Sequence, residues 1–109
     1  MKSNLKFCVI GSGSWATAIV KILSENLKEI NWYIRNTNNL EYILKHSHNR
    51  NYLSSVELNM KKINVSDNLD ELISNSDVLI IAVPSEFTSS VLKNISIDIS
   101  DKIVVSAIK

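Results

Sequence analysis

Phe7-Cys8-Val9-Ile10-Gly11-Ser12-Gly13-Ser14-Trp15-Ala16 decides how the whole chain is read. A β-branched, apolar run ends on a glycine, and helical spacing begins four residues later. Between them Gly11, Gly13 and Ala16 form G-x-G-x-x-A, the strand-to-helix turn of a dinucleotide site. Each position has a physical task. Gly11 permits the tight turn, Gly13 lets backbone approach a pyrophosphate with no Cβ in the way, and Ala16 lets the helix pack close to the strand. The N–H groups from Ser12 to Trp15 then face the anion, helped by the helix dipole. A plain glycine turn is the competing explanation, and the surrounding pattern weighs against it.

Outward from this turn, apolar strand-like segments alternate with segments of helical period, as expected of a parallel sheet with crossover helices. The strands are expected at Lys6 to Ile10, Ile30 to Ile34, Ile63 to Val65, Asp77 to Val83 and Lys102 to Ile108. Trp15, Ala18, Ile19, Ile22 and Leu23 predict one apolar stripe on a helix from Trp15 to Glu25. Leu40, Ile43 and Leu44 mark a second helix. Asp67 or Asn68 caps a third that buries Leu69, Leu72 and Ile73. Phe87, Val91 and Leu92 carry a fourth, after Pro84 stops its strand. Val78 to Val83 lacks polar alternation, so it belongs inside a sheet covered on both faces. The fold class is α/β, a Rossmann-type doubly wound parallel sheet, with residues 1–109 as one dinucleotide-binding domain. Because the chain reaches Lys109 at the tip of an apolar strand that a further helix should cover, it is expected to be an incomplete N-terminal domain.

Composition narrows the function. The chain has 109 residues, a single cysteine, and twelve Lys plus Arg against eleven Asp plus Glu. Lone Cys8 excludes a disulfide framework. The near-neutral charge supplies no field for nucleic acid. No apolar run approaches the roughly 20 residues of a membrane span, and no signal h-region is present, so a cytoplasmic protein is expected. His46 and His48 lack further ligands nearby, so no metal site is expected. Cys8 reads as a buried small hydrophobe. Ser12 and Ser14 do not form a nucleophile elbow. Asp67, Asp70 and Glu71 are accounted for by capping and a solvated face.

The end of the second strand addresses the cofactor. An acid there accepts from a ribose 2′-hydroxyl, whereas an arginine pairs a 2′-phosphate. Arg35 stands at that position, followed by Asn36. The charge logic favours NADP, or tolerance of both NADP and NAD, against the alternative of a solvated strand-end arginine.

Together these residues resemble the N-terminal cofactor domain of NAD(P)-dependent glycerol-3-phosphate dehydrogenase. Gly11-Ser12-Gly13-Ser14-Trp15-Ala16-Thr17-Ala18 is similar to that family's G-x-G-x-W-G-T-A, with Ala16 in place of the third glycine. Ile30 to Arg35 resembles its second strand, which ends in an aromatic, one residue, then arginine. Asn49-Arg50-Asn51-Tyr52-Leu53 resembles N-x-x-Y-L, with Ser54 where proline is common. Val83-Pro84-Ser85 and Ser106-Ala107-Ile108-Lys109 resemble its V-P-S loop and its lysine motif.

The resemblance implies an oxidoreductase that reduces dihydroxyacetone phosphate to sn-glycerol 3-phosphate with NAD(P)H, for phospholipid synthesis. It implies that Ser14 and Trp15 contact the pyrophosphate, Arg35 the adenosine end and Tyr52 the cofactor, with Phe87 near the nicotinamide. Lys109 would meet both nicotinamide and substrate and stabilise charge, while the general base lies in a helical substrate domain absent from this chain. These residues alone would then be inactive. A homodimer of the full-length protein stays open. Two competitors are a ketopantoate reductase or hydroxyacid dehydrogenase, opposed by Trp15 and the N-x-x-Y-L segment, and a nucleotide-sensing module, opposed by Arg35 where such modules place an acid.

Overall fold

The computed structural model describes residues 5–49 and 57–107. Five strands, β1 (Phe7–Ile10), β2 (Ile30–Tyr33), β3 (Ile63–Ser66), β4 (Val78–Ile81) and β5 (Ile103–Ser106), form one sheet in the order β3-β2-β1-β4-β5. All four pairings are parallel. The helices between them are α1 (Ser14–Asn26), α2 (Thr37–His46), α3 (Leu69–Ser74) and α4 (Thr88–Lys93), the last entered through a 3₁₀ turn at Ser85–Phe87. The chain winds from β1 outward to β3, then returns to continue from β4 on β1's other side. The direction of winding therefore reverses between β1 and β4. In open α/β sheets that crevice, at the carboxyl ends of the strands, is where ligands gather.

Alternation along the strands sorts the core into two layers. Val9, Trp32 and Val65 pack with Ala16 and Val20 of α1 and with Leu40 and Ile43 of α2. Cys8, Ile10, Tyr33 and Leu79 face the other side with Leu69, Leu72 and Ile73 of α3. Cys8 is fully buried, and burial pushes its thiol up to about 12 against the opposing hydrogen bond of Ser76. It packs as a small hydrophobe, as the sequence suggests.

Two apolar stripes differ from expectation. In α1 the buried residues are Ala16, Thr17, Val20 and Ser24, and Ile19 and Leu23 of the expected stripe pack partly buried against the same core, while Trp15 and Ile22 are 47% and 57% exposed. Small side chains let the helix axis approach the sheet, so closeness of packing overrides the hydrophobic count. In α2 Leu40 and Ile43 are buried but Leu44 faces solvent. β5 is exposed along its length among the described residues. Four strands contract by one to three residues while β3 extends by one, to Ser66, and the last residue of the fifth expected strand, Ile108, lies outside the described residues.

Asn68 caps α3, its side-chain oxygen accepting from the Glu71 N–H at 3.2 Å. Asp70 does more than face solvent. Its carboxylate accepts from the Ser96 N–H at 3.0 Å and from the Ser96 hydroxyl, tying α3 to the segment leading into β5. Those bonds hold the Asp70 carboxyl below its ordinary range. A depressed carboxyl stabilises the fold above its unfolded pKa of about 3.9, and that contribution is lost as pH falls through the folded value. Thermal melts of Asp70→Asn should therefore lie below the wild type at neutral pH and converge with it only as pH falls below about 4. Curves that stay parallel through that fall would remove Asp70 from the acid response.

Candidate functional site

The turn between β1 and α1 is built by buried donors. Gly11 has φ +134°, and a Cβ there would stand 2.4 Å from the Ala82 carbonyl oxygen at the end of β4. Only glycine fits the sheet at this point. The Gly11 carbonyl accepts from the buried Trp32 indole N–H at 2.6 Å. The Ser12 carbonyl accepts from the Asn49 side-chain amide at 2.9 Å. The Gly13 carbonyl accepts from the Thr17 N–H at 2.9 Å and the Thr17 hydroxyl at 2.8 Å. Three consecutive carbonyls are thus held by three different elements or loops.

In a trans peptide the C=O and the following N–H point in opposite directions, and the described chain has no cis bond. Pinning these carbonyls therefore turns the N–H groups of Ser12, Gly13 and Ser14 away from their partners. Ser14, Trp15 and Ala16 also precede the first intrahelical bond, made by the Thr17 N–H, so their donors belong to the helix's open end. Asn36 and Asn68 cap α2 and α3 with side-chain oxygens, whereas Gly13, in the capping position before α1, offers no side chain, and the first turn of α1 has no acid. Its dipole is left to attract an external anion.

A cleft of about 310 Å³ opens on this turn. Gly11, Ser12 and Gly13 form one wall, Tyr33 and Arg35 the edge beyond β2, and Pro84 and Phe87 the side beyond β4. Leu69 and Val91 add apolar surface. An added Cβ at Gly13 would meet nothing within 4 Å, so the space in front of this residue is available to a ligand. Arg35 is exposed and has no carboxylate within ion-pair distance among the described residues. Burial raises the Tyr33 phenol above its ordinary range, with the Arg35 charge opposing and that of Asp67 assisting. The geometry offers outward N–H donors, a cation at one end and an aromatic ring at the other, which suits a long, anionic, partly aromatic ligand.

Of the residues singled out from sequence, Gly11, Ser12, Gly13, Arg35 and Phe87 meet in this cleft. Ser14 and Trp15 follow directly in α1. The Trp15 indole N–H donates to the Ala107 carbonyl at 2.7 Å and so links the turn to the chain leaving β5. Tyr52 and Lys109 lie outside the described residues. His46 packs its ring on Tyr42 at 4.4 Å. Sequence reasoning missed the parts played by Trp32, Asn49 and Thr17, because a buried donor behind a turn leaves no periodic signal.

The sequence pattern of the NAD-dependent glycerol-3-phosphate dehydrogenase N-terminus matches residues 6–109. Glycerol-3-phosphate dehydrogenase [NAD(P)+] of Thermoanaerobacter sp. (strain X514) is 34% identical over 98 residues, covering 90% of this chain and 29% of the relative. The enzyme of that name from Neorickettsia sennetsu is 33% identical over 95 residues, covering 87% and 28%. Among solved structures, Plasmodium falciparum glycerol-3-phosphate dehydrogenase superposes with a TM-score of 0.80 at 30% identity, over 94% of this chain and 32% of that one. The Saccharomyces cerevisiae glycerol-3-phosphate dehydrogenase gives 0.82 at 25% identity, over 98% and 34%. The chain spans roughly a third or less of the length of each of these relatives.

The two glycines should respond oppositely to a methyl group. Gly11→Ala combines a left-handed φ with a backbone clash and should cost about 3 kcal/mol or more in urea unfolding. Gly13→Ala, at φ −75° with open space in front of it, should change stability by about 1 kcal/mol at most. Equal losses would contradict the packing described for Gly11.

Proposed function

The chain belongs to the family of the NAD-dependent glycerol-3-phosphate dehydrogenase N-terminus, and from that premise we propose that it is the dinucleotide-holding part of an enzyme that reduces dihydroxyacetone phosphate to sn-glycerol 3-phosphate, supplying glycerophospholipid synthesis. The observation that carries the proposal is the glycine turn, with its three pinned carbonyls and its outward donors. NAD(P)H supplies the hydride; the protein must hold the cofactor, orient the ketone and deliver a proton.

The residues present fit such a cofactor. Ser12, Gly13, Ser14 and Trp15 would receive the pyrophosphate on their N–H groups, and the open space at Gly13 admits it. Arg35, at the far edge of the cleft, would take the adenosine end. Phe87 would form an apolar wall for the nicotinamide. Tyr52 is assigned to the cofactor by its place in the N-x-x-Y-L segment. Lys109 is assigned to the substrate oxygen, where an ammonium is worth more as negative charge develops. The general base is placed outside these 109 residues, so the chain by itself should bind cofactor without turnover.

No helix among the described residues is long and apolar enough to cross a membrane. The proposed setting is the cytoplasm and the proposed substrate a phosphorylated small molecule, with no nucleic-acid partner. The match to residues 6–109 favours this reading over a ketopantoate reductase, a hydroxyacid dehydrogenase or a nucleotide-sensing module.

The test is a fluorescence titration of NADPH and NADH on the wild type and on Arg35→Ala. The wild type should bind both. The variant should lose about 10- to 150-fold in NADPH affinity, the equivalent of one charge-assisted bond, and much less in NADH. Equal losses would reduce Arg35 to a general electrostatic part, and a wild type that binds neither would contradict the proposal.

A further inference from the structure

Asn49 is fully buried although it follows the end of α2 in a loop and bears a polar side chain. Burying an amide is costly unless its hydrogen bonds are made. Its Nδ2 donates to the Ser12 carbonyl at 2.9 Å and to the Thr17 hydroxyl at 2.8 Å. The Ser12 carbonyl can only accept, so the amide nitrogen must face it. The Thr17 hydroxyl in turn donates to the Gly13 carbonyl at 2.8 Å. One side chain, 37 positions along the chain from Ser12, thereby supports two successive peptide planes.

This support answers a difficulty created by Gly13. The open approach a pyrophosphate needs is the same feature that leaves the Ser12–Gly13 peptide easy to rotate, since glycine accepts φ of either sign. In one orientation the Gly13 N–H faces the cleft and attracts a phosphate. In the other the Ser12 carbonyl faces it and repels one. A ligand that needs the first orientation binds more weakly in proportion to the time spent in the second.

We propose that Asn49 is a positioning residue that holds the Ser12–Gly13 peptide in its donor-outward orientation and so prepares the turn for the cofactor's pyrophosphate. The inference rests on the cofactor reading above and adds a residue to it. Asn49 acts from behind the turn, on the opposite side of the peptide from the ligand.

The experiment measures binding and melting together on the full chain. Asn49→Asp keeps the shape of the side chain and cannot donate; Asn49→Leu keeps bulk without polarity. ADP probes the pyrophosphate position, and 2′-AMP probes the adenosine and Arg35 end with no pyrophosphate. Both variants should bind ADP about 10- to 100-fold more weakly, the range for losing a hydrogen bond to a charged group, and 2′-AMP within about twofold of the wild type. A purely structural Asn49 would lower the melting temperature and both affinities alike, and that result overturns the inference. Unchanged ADP affinity in both variants also overturns it while leaving the cofactor reading intact. A wild type that binds neither ligand removes the cofactor reading and this inference together.

Discussion

The structure turns on the requirement that buried backbone carbonyls find donors at the place where β1 becomes α1. β1 lies in the middle of the sheet, so its carboxyl end is enclosed by β2, β4 and the start of α1. Each carbonyl of the turn must be satisfied from inside that enclosure. Trp32 reaches from β2, Asn49 from the loop beyond α2, and Thr17 from the first turn of α1. Once the carbonyls are taken inward, the amide N–H groups have only the cleft to face. The outward-facing donors are therefore a by-product of satisfying the core, and the fold and the candidate site share one set of bonds.

Close approach is the companion constraint. Gly11 touches the Ala82 backbone so nearly that no other residue fits, and Ala16 and Thr17 bring α1 down onto the sheet with small side chains. Larger side chains would lift the helix and withdraw its N-terminus from the cleft. The same economy of size sends Trp15 outward, where its indole can reach the Ala107 carbonyl beyond β5. The turn is thus coupled both to β2, through Trp32, and to the segment leaving β5.

How much of this was legible depended on whether a feature repeats locally. The five strands were readable because Val9, Ile30, Ile63, Leu79 and Val104 sit in β-branched or apolar runs bounded by polar breaks. The glycine turn was readable because its spacing is short. The buried face of α1 was only partly legible: Ile19 and Leu23 pack against the core as their spacing suggests, whereas Trp15 and Ile22 outweigh Ala16 and Thr17 in any hydrophobic count while small size decides which face touches the sheet. Asp70 passed for a solvated acid, since its partner Ser96 is 26 residues away. Asn49 and Trp32 were invisible as parts of the turn for the same reason: a bond across 37 or 21 positions has no local signature. Arg35 and Phe87 were recognisable through their neighbours, and the cleft brings both beside the turn.

The central claim, that the N–H groups of the turn form the pyrophosphate seat, is tested most directly by amide proton and nitrogen shifts during titration of the chain with NADH. A proton that gains an anionic acceptor moves downfield. The account predicts that the amides of Ser12, Gly13 and Ser14 shift most, in step with binding, while amides at the far edge formed by β3 stay in place. Saturating NADH binding that leaves those three amides unshifted would contradict it.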